Sequence, residues 1–132
     1  AKIVLPPTAS PELAYELLKS VPTGGKTPLI DALAKGQRLM ENCCGMPTLF
    51  VLISDGKYSR KGIADPEQVL RSFGETAYKA NAKILVIDAE KKGIMSLGAA
   101  KRLADQIGGI YKPIEELRAD TVRSAVDSVL QI

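Results

Sequence analysis

Two oxygen-bearing side chains stand at positions where they could bind a metal. Asp55 follows the apolar residues 48–53 and precedes Gly56, and Thr27 ends a glycine-rich loop. Carboxylate and hydroxyl oxygens are hard ligands that suit a divalent cation such as Mg²⁺, which keeps several of its waters. We therefore take Thr27 and Asp55 as candidate metal ligands on adjacent loops. Each also has a purely structural interpretation, because Asp55 could cap the loop after it and Thr27 the helix after it.

A second pair of carboxylates, Asp88 and Glu90, ends the next apolar segment, residues 83–88. They could add negative potential near Asp55. We expect them to be solvent-exposed or to cap their loop.

The loop Gly24, Gly25, Lys26 and Thr27 resembles the end of a phosphate-binding P-loop. The P-loop motif requires a glycine at the position where this chain has Ser20. A P-loop also follows a strand, whereas the loop in this chain is predicted to follow a helix. A nucleotide-binding or phosphotransfer protein that uses this loop is therefore an alternative.

Composition excludes several other kinds of site. The chain has no His, which removes the usual general base, and the adjacent Cys43 and Cys44 cannot complete a structural zinc site without it. A net charge of +3 with dispersed Lys and Arg predicts no nucleic-acid partner. No apolar run is long enough to span a bilayer, and no signal peptide is evident. We expect a cytoplasmic protein with reduced cysteines.

The elements that must position these residues alternate between strand and helix. Apolar strands are predicted at residues 48–53 and 83–88, with short strands at 2–5 and 110–112 and helices between them. This order predicts an α/β fold with a three-layer, Rossmann-like, open and mostly parallel sheet, in a single domain over residues 1–132. The continuous apolar run at 48–53 predicts a strand buried on both faces.

The resulting sheet is small. Sheets usually have about 5–6 strands, and the sequence starts at Ala1 without an initiator Met. We expect a piece of a longer polypeptide.

Four segments resemble von Willebrand factor A domains, and more narrowly the carboxyl-terminal domain of the magnesium or cobalt chelatase D subunit. They are, in family order, Leu5-Pro6-Pro7-Thr8, Pro22-Thr23-Gly24-Gly25-Lys26-Thr27-Pro28-Leu29, Leu52-Ile53-Ser54-Asp55-Gly56 and Val86-Ile87-Asp88-Ala89-Glu90. The resemblance covers essentially the whole chain. It implies a metal-ion-dependent adhesion site, with Thr27 and Asp55 at two of its three ligand-bearing loops. The third motif, Asp-x-Ser-x-Ser, does not occur here, so the resemblance implies that the first strand, helix and second strand are missing.

The resemblance also implies a role. Such a domain is not the motor of an ATP-dependent chelatase that serves tetrapyrrole biosynthesis. It docks onto ATPase subunits, and onto the large porphyrin-binding subunit, through a Mg²⁺ that bridges to an acidic residue of the partner. Lys57, Arg60 and Lys61 would steer such a partner. An adhesion or scaffold protein of the same fold, unrelated to chelatases, is a further alternative.

Two structural expectations follow. The backbone must reverse at Gly56, so a positive φ is expected there. If a neighbouring strand is missing, residues 48–53 form an open apolar edge, and such edges recruit other chains. A homo-oligomer that pairs through this strand is therefore expected.

Overall fold

The computed structural model describes residues 10, 12–13, 16, 28–43, 45–90, 98–114 and 118–130. Within these residues, helices and strands alternate along the chain from residue 29 onward. The helices are α1 (Leu29–Glu41), α2 (Pro66–Lys79), α3 (Ala99–Ile107) and α4 (Ala119–Leu130). The strands are β1 (Leu49–Ser54), β2 (Lys83–Asp88) and β3 (Ile110–Pro113).

The three strands form a parallel sheet in the order β1-β2-β3. Ser54 lies opposite Asp88, which in turn lies opposite Pro113. The carboxyl ends of all three strands therefore meet at one edge of the sheet, which we call the carboxyl edge.

Helices cover both faces of the sheet. On one face, apolar residues of α1, α2 and α3 pack against Ile84 and Val86. On the same face the rings of Phe50 and Phe73 contact each other edge to face, with their centroids 4.9 Å apart. On the other face, α4 packs Val129 against Leu85 and Ile87. This arrangement confirms the predicted α/β class with a parallel, Rossmann-like open sheet.

The strand β1 differs from the prediction. Its residues are mostly half-buried, and Ile53 is 45% exposed, whereas the sequence predicted burial on both faces. The reason is position, because in the described part of the chain β1 pairs with β2 alone and lies at the edge of the sheet. The strand predicted at residues 2–5 lies outside the described residues.

Local side-chain bonds set two of the helix starts. Asp65 accepts a hydrogen bond from the Gln68 N–H at 3.1 Å, and Pro66 follows it as the first helical residue. The last helix, α4, begins at Ala119. There the Thr121 hydroxyl accepts from the Arg118 N–H at 3.1 Å, reaching back across the first turn as in a capping box.

Across the described ranges, we find no helix that is both long and apolar enough to cross a membrane.

Candidate functional site

Asp55 lies on a tight turn at the carboxyl edge. The buried Ser54 hydroxyl accepts the Gly56 N–H at 3.0 Å, and Asp55 Oδ1 accepts the Lys57 N–H at 2.9 Å. Asp55 thus caps the loop after it, as its structural interpretation predicted. Its second oxygen, Oδ2, accepts no hydrogen bond from the described part of the chain. Asp55 as a whole is half-buried.

The turn is locked by Gly56, whose φ is +79° as expected. The residue also packs directly on the first turn of α3. A Cβ at this position would lie 2.3 Å from the Ala100 nitrogen and 2.4 Å from the Ala99 carbonyl carbon. Glycine is therefore required here both by backbone conformation and by space.

Asp88 is a buried, fully bonded carboxylate. It is 7% exposed, its Oδ1 accepts the Glu90 N–H at 2.8 Å, and its Oδ2 accepts the Tyr111 hydroxyl at 2.6 Å. Of the two predicted alternatives, solvent exposure or loop capping, the structure confirms capping for Asp88. The second donor is Tyr111 on β3, which lies diagonally across from Asp88 on the same face of the sheet.

The bond to Asp88 also sets the protonation of Tyr111. Donation to the carboxylate, assisted by burial and by the nearby negative charges of Asp88 and Glu90, raises the pKa of Tyr111 to about 12. The phenol therefore stays protonated, and stays a donor, to a higher pH than an ordinary tyrosine with a pKa of about 10.

An ion pair crosses between the loops that follow β1 and β2. Lys57 Nζ lies 3.7 Å from Glu90 Oε1; the lysine side chain is 51% exposed and the glutamate side chain 12%. Farther along the same loop, Arg60 pairs with Glu67 and lies 5.9 Å from the centroid of the Tyr58 ring. Lys61 is exposed and has no carboxylate partner among the residues that the structure describes.

The predicted metal site is only partly visible. Thr27 and the loop at residues 24–27 lie outside the described residues, so the pairing of Thr27 with Asp55 stays a prediction. The described residues contain no group of three or more His, Cys, Asp or Glu side chains placed to hold a metal. Asp55 fits Mg²⁺ as one ligand, because it offers a hard carboxylate oxygen that the turn leaves unused.

Sequence reasoning missed Tyr111 and the pairing of Lys57 with Glu90. Tyr111 could have been found only from the register between β2 and β3. In that register Tyr111 pairs with Val86 and therefore lies diagonally across from Asp88. That register depends on which residues of β2 and β3 align, and the spacing of residues along the chain does not show this.

Comparison with known proteins found relatives over nearly the whole chain. It is 34% identical over 130 residues to the uncharacterized protein MJ0910 of Methanocaldococcus jannaschii, covering 92% of this chain and 72% of that protein. It is 30% identical over 139 residues to the magnesium-chelatase 67 kDa subunit of Chlorobaculum tepidum. It is 29% identical over 144 residues to the subunit of the same name from Heliobacterium mobile.

The two chelatase matches cover 95% and 98% of this chain, which spans only 22% of each chelatase subunit. No protein-family model and no solved structure matches it. The match to the Methanocaldococcus protein is both close enough and long enough to assign a family. The chain belongs to the family of the uncharacterized protein MJ0910 of Methanocaldococcus jannaschii and is a distant homologue of magnesium-chelatase 67 kDa subunits.

Proposed function

We propose that residues 1–132 form a von Willebrand factor A-type interaction domain of a chelatase-related protein. Its role would be to dock in the cytoplasm onto the ATPase subunits of a chelatase that inserts Mg²⁺ or Co²⁺ into a tetrapyrrole. Distant homology to magnesium-chelatase 67 kDa subunits supports the chelatase relation. The large porphyrin-binding subunit is a second proposed partner.

The observation that carries the docking proposal is the state of Asp55. One of its oxygens closes the turn, and the other accepts no hydrogen bond from the described residues. Asp55 lies at the edge where parallel sheets bind their ligands. We assign Asp55 and Thr27 as protein ligands of a Mg²⁺ ion. That ion supplies a positively charged coordination position for a carboxylate of the partner.

The charge of the loop favours an acidic partner. Lys57, Arg60 and Lys61 follow Asp55 within six residues, and all three are exposed. Lys57 and Arg60 are already paired with carboxylates of this chain, so their net field is weakened. Lys61 is therefore the cation that contributes most to steering an acidic surface toward Asp55.

Association with the ATPase subunits tests this function. Isothermal titration of the 132-residue chain with those subunits should give binding that requires Mg²⁺, and Asp55→Asn should weaken it at least tenfold. The matched control is Asp127→Asn, which removes an exposed carboxylate on α4 and should leave the affinity unchanged. Equal binding by the wild type and Asp55→Asn would refute the proposed role of Asp55.

Among the described residues β1 is an edge strand, and this supports a further proposed partner, a second copy of the chain. Its six residues, Leu49–Ser54, contain no charge and no proline, the usual protections of an edge. Size-exclusion chromatography with light scattering should therefore show a dimer at micromolar concentration. Ile53→Lys, at a position that is 45% exposed, should shift the protein to a monomer. A wild-type monomer would contradict self-association.

A further inference from the structure

A continuous set of polar contacts links the three strand ends at the carboxyl edge. From β3, the Tyr111 hydroxyl donates to Asp88 Oδ2, while Asp88 Oδ1 holds the Glu90 N–H. The Glu90 carboxylate pairs with Lys57, whose N–H in turn bonds Asp55. We call these five residues, Tyr111, Asp88, Glu90, Lys57 and Asp55, the edge network.

We propose that Tyr111 and Glu90 are positioning residues for the Asp55 turn, acting through the edge network. Tyr111 fixes the Asp88 carboxylate, which fixes the backbone at Glu90. The Glu90 carboxylate then pairs with the Lys57 side chain and keeps it beside the loop after β2. This pairing holds the Lys57 backbone N–H in position to donate its hydrogen bond to Asp55 Oδ1. The proposal rests on the proposed docking function only in its last step, the effect on partner affinity.

The inner half of the edge network is rigid. Asp88 is 7% exposed, and both of its oxygens are used at 2.8 Å or less. A hydrogen bond to a buried carboxylate is among the stronger kinds in proteins, and low dielectric strengthens it. The Tyr111 ring is itself placed by β3 and by Lys101 of α3, whose Nζ lies 5.9 Å from its centroid.

The outer half is the weaker link. Lys57 is half-exposed, and at 3.7 Å its pairing with Glu90 is a partly solvated ion pair. Such pairs change an equilibrium by about two- to fivefold. We therefore expect Tyr111 and Glu90 to change the fraction of molecules in which the Asp55 turn is formed, without deciding whether the chain folds.

The exchange rates of the Gly56 and Lys57 amides, measured by nuclear magnetic resonance, report on the turn without any ligand. Tyr111→Phe and Glu90→Gln should each speed exchange at Lys57 by about two- to fivefold and leave the β2 amides unchanged. Tyr78→Phe is the matched control, because it removes the same atom from a tyrosine that is 87% exposed. The double variant Lys57→Glu with Glu90→Lys restores an ion pair of reversed sign and should recover slow exchange at Lys57.

Three results would overturn the proposal. One is an unchanged Lys57 amide in a folded Tyr111→Phe protein. Another is faster exchange spread evenly over the sheet, which would make Tyr111 a stability residue only. The third result concerns the partner. Glu90→Gln should weaken Mg²⁺-dependent binding to the ATPase subunits about two- to fivefold. Tighter binding would overturn the proposal, because it would mean that Glu90 competes with the partner for Lys57. If the wild type binds no ATPase subunit, the docking function fails while the amide result still decides the role of the edge network.

Discussion

Replacing Gly56 by Ala adds one methyl group at the tightest contact of the carboxyl edge. The new Cβ would lie 2.3 Å from the Ala100 nitrogen and 2.5 Å from its Cα, and both atoms belong to the backbone of α3. Neither can rotate aside as a side chain would. The substitution must therefore move either the Asp55 turn or the first turn of α3.

Gly62→Ala provides a matched control. Gly62 has φ +78°, almost the same as the +79° of Gly56, but a Cβ there would meet no atom within 4 Å. Both variants carry the cost of an alanine in the left-handed region, about 1–2 kcal/mol. Both also recover about 0.4–1 kcal/mol because the unfolded chain loses freedom. The difference between them is the cost of overpacking alone, about 1–3 kcal/mol.

Urea unfolding followed by circular dichroism measures this difference. We expect Gly62→Ala to lower the free energy of unfolding by about 1.6 kcal/mol or less, and Gly56→Ala by about 1–4.6 kcal/mol. With a denaturant slope of about 2 kcal/mol per molar, the two midpoints should differ by about 0.5–1.5 M. Equal midpoints would show that the Asp55 turn does not rest on α3.

Three further predictions concern single contacts. The hydroxyl of Tyr111 should ionise only as the pH approaches about 12, because it donates to the buried Asp88 carboxylate. Subtracting the ultraviolet titration of Tyr111→Phe from that of the wild type isolates this group, and ionisation near the ordinary tyrosine pKa of about 10 would contradict the bond. Asp65→Ala should lower the free energy of unfolding by about 1 kcal/mol through loss of the cap on Gln68, whereas Asp65→Asn, which keeps an accepting oxygen, should cost much less. Calorimetry on the chain alone should show at most millimolar affinity for Mg²⁺, because Thr27 and Asp55 are two ligands where tight sites use more; a micromolar site would contradict this ligand assignment.

The positions of the strands along the chain were largely predictable from the sequence. The bounds of β2, Lys83–Asp88, match the prediction because the last five of its residues are buried, and a continuous apolar run marks a strand covered on both faces. The run in β1 has the same composition but lies at the sheet edge in the described part of the chain. Composition alone does not distinguish a central strand from an apolar edge strand, since the neighbouring strand decides its burial.

The site was predictable where contacts are local. Asp55 and Gly56 were identified because a carboxylate followed by glycine at a strand end dictates a turn within three residues. The partner of Asp88 was not identified, because Tyr111 lies 23 residues away and reaches it only through the register of β2 and β3. Thr121 was overlooked as a capping residue because it stands where Glu or Gln usually signals a helix start.

The most direct test of the account is the location of the metal. Mn²⁺ can replace Mg²⁺ at hard oxygen sites, and it broadens the magnetic resonance signals of nearby amides even when binding is weak. Mn²⁺ added at low concentration to the labelled chain should broaden the amide signals of residues 55–57 and 89–90. It should leave the signals of residues 80–82, at the opposite edge of the sheet, unchanged. Asp55→Asn should abolish the broadening. Broadening that persists in Asp55→Asn, or that centres on other carboxylates, would contradict the claim that the carboxyl edge is a metal-dependent docking site.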